Sequence, residues 1–338
     1  MKKITLFIGL VLSVYASSQV TISRNWERSD SLATRHVWNA GDNARGLAYG
    51  TMGANERVFV ATRSTVGAQT PRIVILHAHS GDSVSVMNMT GVAGGTHIIS
   101  DAGMTEDGIL LVSNLVTAVS ATSHLKIYQW NNETAAPTVA VQWGPAVAEG
   151  RYGDKITVTG KINDGTARIY AVRNIAGTAN IKYWDMIEDT TNPGTFVFNQ
   201  LPKNLFDVPG LGVLASIGLR PDGGSYYKIN GANIRQFTSA GVQVGGESLS
   251  SVVAHSGNNV RYVGDDNMGN AVVCYFRYNT GNTTNSHLGN HKVDFLRVLN
   301  NDLINATVIA STPSMGRIAN GNGAGGVVVN KLANNDVE

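Results

Sequence analysis

The sequence predicts an all-β fold: a β-propeller of about six four-stranded blades with the last blade incomplete. Three observations predict it. A phrase of polar turn, apolar strand and second apolar strand recurs roughly every 54 residues, the length of one propeller blade. No long segment carries apolar residues at the i, i+3, i+4, i+7 spacing of an amphipathic helix. The chain holds 38 glycines and is only 15% charged, and its apolar runs are rich in valine and other β-branched residues. That composition suits many short strands joined by tight turns.

The turns of the repeat fall near Asn55, Asp107, Asp164, Asp222, Gly269 and Gly325, and each precedes a strand-like run. Blade one is expected over 44–91, with ARGLAYG, RVFVATR, PRIVILH and VSVMNM as strands from innermost to outermost. Blade two covers 94–143, from GGTHIISDAG through ILLVSNLV and LKIYQW to TVAVQW. Blade three covers 150–202, from RYGDKITVTG through ARIYAVRN and IKYW to TFVFNQL. Trp130 and Trp184 fall in matching third strands and are expected to pack between neighbouring blades. Blade four, 213–246, reads VLASIGLR, SYYKIN, ANIRQFT and VQVGG. Blade five, 252–299, contains VRYVGDD, NAVVCYFRY and VDFLRVLN, with an Asn/Thr/Gly-rich insert at 279–291. Blade six, 306–338, begins at ATVIAS and holds MGRIANG and GGVVVNKL, with no outer strands. The run VTISRNW (20–26) is placed to complete it, because propellers close by removing an exposed strand edge. The ending LANNDVE reads as a turn before an absent strand, and a fragment of a longer protein is expected over a naturally incomplete blade.

Residues 1–18 read as a signal peptide. Lys2 and Lys3 precede the apolar core 4–16, and Ala16, Ser17 and Ser18 supply small residues for cleavage. The apolar run is too short for a membrane span, and no second one is long enough. Residues 19–338 are expected to form a single propeller domain, secreted or held at the cell surface. Cleavage removes two lysines and no acid, so the formal charge falls from +2 to zero. Such a chain has no electrostatic footprint for nucleic acid or for an anionic membrane. Cys274 is the only cysteine, which excludes an internal disulfide and leaves stability to the core. It sits in an apolar strand and reads as a buried structural thiol.

The segments RYGDKITVTG with DGTARIYAVRN, RGLAYG with RVFVATR, and TEDGILLVSN with LKIYQWN and PTVAVQW together resemble a family of secreted bacterial proteins of unknown function. The resemblance spans nearly the whole chain after residue 18 and is strongest over 44–185. It implies an exported, propeller-like protein, and it carries no activity or catalytic residue to transfer.

A propeller binds ligands at its central channel and the loops around one mouth, where the first strands converge. The polar residues on those strands are Arg45, His97, Asp101, Arg151, Asp154, His255, Arg261 and Arg317. Arg45 and His97 each precede their blade's turn by ten residues, so they take equivalent places. A ring of Arg and His suits a carboxylate or an acidic sugar. The competing reading pairs these cations with Asp101 and Asp154, or with backbone carbonyls of adjacent blades.

Support for catalysis is weak. Most acids lie in turns (Glu106, Asp107, Asp164, Asp222, Asp265, Asp266), where they bond the following backbone. Neither a G-x-S-x-G elbow nor an H-E-x-x-H helix occurs. His77 with His79, and His287 with His291, each offer half a metal site without a third ligand, and DDNMGN reads as a turn in preference to a calcium loop. No catalytic residue, metal or cofactor is expected. The expected function is a non-catalytic binding module for a glycan or a cell-envelope component. A structural or adhesive surface protein is the alternative, and an enzyme acting on polysaccharide comes third.

Overall fold

The computed structural model describes residues 44–63, 70–173, 178–209, 214–228, 233–248, 259–277, 292–313 and 326–329, together with 22, 26, 27, 36 and 257. The signal peptide, most of the run 20–26, the insert 279–291, His255, His287, His291 and Arg317 lie outside them.

The described strands form five antiparallel sheets in chain order. Blade 1 holds β1 (Ala44–Met52), β2 (Asn55–Thr62), β3 (Arg72–His77) and β4 (Ser83–Val86). Blade 2 holds β5 (His97–Met104), β6 (Leu110–Leu115), β7 (Leu125–Trp130) and β8 (Thr138–Trp143). Blade 3 holds β9 (Ile156–Thr159), β10 (Arg168–Val172), β11 (Thr178–Glu188), β12 (Phe196–Phe198) and β13 (Lys203–Pro209). Blade 4 holds β14 (Ser216–Leu219), β15 (Ser225–Lys228) and β16 (Ile234–Phe237). Blade 5 holds β17 (Val260–Asp265), β18 (Ala271–Arg277), β19 (Lys292–Val298) and β20 (Thr307–Ser311). The described residues form an all-β propeller with five blades.

The expectation of six blades is corrected by β20. ATVIAS was expected to open a sixth blade, but it pairs antiparallel with β19, Phe295 opposite Ala310, and is the outer strand of blade 5. Its physical role is to cover the edge of β19. Among the described residues no sixth sheet forms. Two further departures concern outer edges. β11 is long enough to pair with β12 near its C-terminal end and with β13 near its start. In blade 4 the VQVGG stretch is not a regular strand, yet Val244 N–H donates to Gln236 O and Ser248 N–H to Ile234 O, so the β16 edge is covered.

The repeat turn has one mechanism throughout. Gly53, Gly108, Gly165, Gly223 and Gly269 all take positive φ between the first and second strands, a conformation open to glycine. The acids beside them cap the turn: Asp222 Oδ1 accepts from Gly224 N at 2.9 Å, and Asp266 Oδ1 from Met268 N and Asn270 N at 2.9 Å each. Turn chemistry therefore accounts for these acids, DDNMGN included.

The core sits in the seams between blades. One apolar cluster joins blades 1 and 2, and others join 2 with 3, 3 with 4, and 4 with 5. Trp130 fills the first seam and Trp184 the second, both fully buried. Blade 1 has a further cluster on its other face, where Val58, Val60, Val74 and Leu76 pack with Trp26 and Leu47. Trp26 donates its indole N–H to Ala78 O at 2.5 Å, on the turn between β3 and β4.

Candidate functional site

The residues singled out on the first strands collect at one end of the blades. Ala44 at the start of β1 pairs with Thr62 at the end of β2, so Arg45 and Arg63 share that end. His97 opens β5, and Arg151 and Asp154 immediately precede β9. β1, β5 and β9 are the first strands of their blades, so these residues gather at the end of the inner strands where a propeller's channel opens.

Local backbone irregularity aims them there. The β1–β2 register slips between Ala44 and Gly46, which makes Arg45 the bulged residue. A second slip in β5 lies between His97 and Asp101. Bulges turn side chains away from strict alternation, and they cluster beside functional sites. The segment before β9 is pinned to blade 2: Val116 and Tyr152 exchange two backbone hydrogen bonds of 3.0 Å. Gly153 makes the sharp turn that follows, at φ 91°, where an added Cβ would lie 1.9 Å from Asn114 O. A side chain there would collide with that carbonyl.

The electrostatics divide the cluster in two. In the deeper part Asp101 accepts from Lys155 Nζ at 3.2 Å and from Ile156 N at 2.8 Å, and Lys155 also donates to Arg45 O at 2.7 Å. Both side chains are only 2% exposed, and burial pushes the Lys155 ammonium down while Asp101 opposes it. Arg261 donates to three backbone carbonyls, Ile217 O, Val260 O and Ile156 O, and to Thr157 Oγ1 at 3.3 Å. These contacts tie blades 1, 2, 3, 4 and 5 together across the axis.

At the mouth, Arg151 holds Asp154 with two hydrogen bonds, Nε to Oδ2 at 2.6 Å and Nη2 to Oδ1 at 2.5 Å. That pairing raises the Arg151 pKa. Arg63 donates to Ser100 Oγ, while its Nε is buried and makes no hydrogen bond among the described residues. Burial, then Arg45, push Arg63 down to about 10 from the ordinary 12.5. The His97 ring is solvent-reached but crowded, and desolvation followed by Arg63, Arg45 and Arg151 lowers its pKa from 6.5.

The structure thus brings together six of the eight residues read from the sequence: Arg45, His97, Asp101, Arg151, Asp154 and Arg261. The pairing of the competing reading is present among them: Arg151 is bound to Asp154 within its own segment, while Asp101 and Arg261 bond across blades. Sequence reasoning missed Arg63, Ser100, Lys155 and Thr157. Lys155 follows Asp154 directly in RYGDKITVTG, and Arg63 ends the second strand opposite Arg45, so strand pairing was the signal for both. Asp101 and Asp154 are each tied to a cation. Among the described residues no group of His, Cys, Asp and Glu is arranged to hold a metal.

A separate cleft of about 620 Å³ lies at the opposite end of blade 1, lined by Glu56, Arg57, His77 and His79. Its charges are mutually satisfied: Arg57 pairs with Glu133 at 2.8 Å and His79 with Glu56 at 2.8 Å. His77 Nδ1 accepts from Arg57 Nη1 at 3.3 Å, while His79 Nε2 faces Glu56.

The five sheets are those of a β-propeller, with Arg45, Arg63 and Arg151 gathered near one end of its inner strands. A family model described as a domain of unknown function, DUF4623, matches residues 24–199, and the chain belongs to that family. The crystal structure of a DUF4623 family protein from Bacteroides eggerthii is similar at a TM-score of 0.63 and 16% identity, covering 90% of this chain and 68% of that one. A GH43_1 enzyme from Xanthomonas citri gives a TM-score of 0.44 at 9% identity, covering 82% and 93%. A DUF4221 family member from Bacteroides vulgatus gives 0.40 at 10% identity, covering 81% and 83%. The first shows the shared fold. Comparison with curated proteins gives no match. Among the described residues no helix is long and apolar enough to cross a membrane.

Proposed function

We propose that this protein is an exported, non-catalytic binding module that recognises a glycan of the cell envelope or its surroundings at the channel mouth. The observation that carries the reading is the convergence of Arg45, Arg63, His97 and Arg151 at one end of the inner strands, two of which are bulged there. A purely structural role would be served by Lys155, Asp101 and Arg261, which lock the blades deeper in the channel. The mouth adds cations beyond that lock. Export rests on the signal-peptide pattern of residues 1–18.

The test is a glycan-array screen of the mature protein, with Arg45→Ala and Arg151→Ala alongside. Saturable binding to a defined glycan, weakened in both variants while the fold persists, is expected. A folded wild-type protein that binds nothing on the array would transfer the weight to a structural or adhesive role.

A further inference from the structure

We infer that the glycan recognised at this mouth is acidic, with a carboxylate or sulfate oxyanion received by Arg63, Arg45 and His97. The inference rests on the reading of the mouth as a glycan site and names the ligand's chemistry. Three observations carry it. The first is charge. Setting Arg45 aside, Arg151 takes Asp154 and Lys155 takes Asp101, while Arg63 and Arg261 form no ion pair among the described residues, so four cations stand against two carboxylates. An excess of two positive charges in a partly desolvated space is costly until an anion enters.

The second observation is unused hydrogen-bonding capacity. Arg63 spends one contact on Ser100 Oγ, and its buried Nε bonds to nothing among the described residues. A guanidinium presents a flat fork that carboxylate and sulfate oxygens match two at a time, whereas a neutral sugar hydroxyl meets one donor at a time. The third is His97. The groups that face it are Arg45 from β1, Arg63 from the end of β2, and Arg151 and Asp154 from the segment before β9. Three of these four are cations, and burial first, then those cations, favour the neutral ring at pH values where an isolated imidazole would be charged. An oxyanion seated among them reverses that bias, so the complex takes up a proton and binding tightens as pH falls through the histidine range.

The experiment is calorimetry at pH 5.5 and 7.5 with three probes: trigalacturonate, a sulfated trisaccharide and neutral galactotriose. It uses the wild-type protein, Arg63→Gln and His97→Gln. We expect one of the acidic probes to bind at least about tenfold more tightly than galactotriose, and the better of the two to identify the oxyanion. Arg63→Gln should lose about tenfold or more for that probe. His97→Gln, a change at an exposed ring, should keep the fold and abolish the gain between pH 7.5 and 5.5. The His97 ring resonances, followed by NMR, should titrate at a higher pH when the acidic probe is present. Galactotriose binding as tightly as both acidic probes would overturn the acidic assignment and leave the glycan site standing. No binding of any probe, together with a blank array and an unchanged His97 titration, would remove both.

Discussion

Asp101 carries the charge balance of the channel, and its replacement separates the structural part of the cluster from the recognition part. Its two oxygens serve Lys155 Nζ and Ile156 N, and both it and Lys155 are almost wholly buried. Removing one member of such a pair leaves the other charge in low dielectric, so Asp101→Ala should lower stability by about 3–5 kcal/mol in urea denaturation. Asp101→Asn with Lys155→Met keeps an acceptor for Ile156 N and buries no charge. That double variant should fall within about 1–2 kcal/mol of wild type. Equal losses in the two variants would contradict the pair as the source of the effect. The same residues show what was readable before the fold. Asp101 and Asp154 stand out as acids on first strands, whereas nothing in the sequence singles out Lys155. Which cation meets which carboxylate depends on the approach of β5 to β9, and no local pattern encodes that distance. His97 adds a pH term of known sign. Its folded pKa lies below the ordinary 6.5, so the unfolded chain binds more protons as pH falls under that value, and stability declines there until the folded ring titrates.

At the scale of the strand, close approach between inner strands is the controlling feature. A Cβ on Gly46 in β1 would lie 2.7 Å from Ala102 N and 2.7 Å from Asp101 Cα, both backbone atoms of β5. Nothing there can move aside without shifting the strand that carries Asp101. A Cβ on Gly50, four residues along the same strand, would meet the thioether end of Met104, a flexible side chain. Gly46→Ala should therefore cost about 1–3 kcal/mol or more, and Gly50→Ala under about 1 kcal/mol. Thermal unfolding of the two single variants checks this, and the reverse order would place the tight contact elsewhere. Strand positions were legible because the repeat turns are fixed by glycine at positive φ and by acids that cap them, both local properties. Outer edges were less legible. The segment Thr307–Ser311 looks like any inner strand by composition, and only its pairing with β19 assigns it to blade 5. The bulges at Arg45 and within His97–Asp101 were also invisible, since a one-residue slip is a property of the ladder and not of either strand alone.

For the whole molecule, stability is distributed over seams in which each blade touches its neighbours, an arrangement expected to couple blades through nearest-neighbour contacts. Four seams have their own apolar cluster, and the other face of blade 1 is covered by residues from distant parts of the chain. Trp26 docks on its β3–β4 turn, and Gly326 packs so closely on Leu47 that an added Cβ would sit 2.6 Å from the leucine's Cβ. Val327 beside it is 6% exposed. Val327→Asp would bury an unpartnered carboxylate at this junction, an outcome that costs on the order of 2–4 kcal/mol. Cys274, on β18 of blade 5, reports whether that loss is felt across the ring. It is fully buried, and burial pushes its thiol up to about 12, so it is inert in the folded protein. If the blades unfold as one cooperative unit, Val327→Asp raises the rate at which a thiol reagent captures Cys274 by the same factor as it raises the global unfolding constant. If the damage stays in blade 1, stability probes there change while Cys274 capture holds its wild-type rate. The continuity of the four seams from blade 1 to blade 5, and the ties of Lys155 and Arg261 across the channel, favour the cooperative outcome, and unchanged Cys274 capture would refute it.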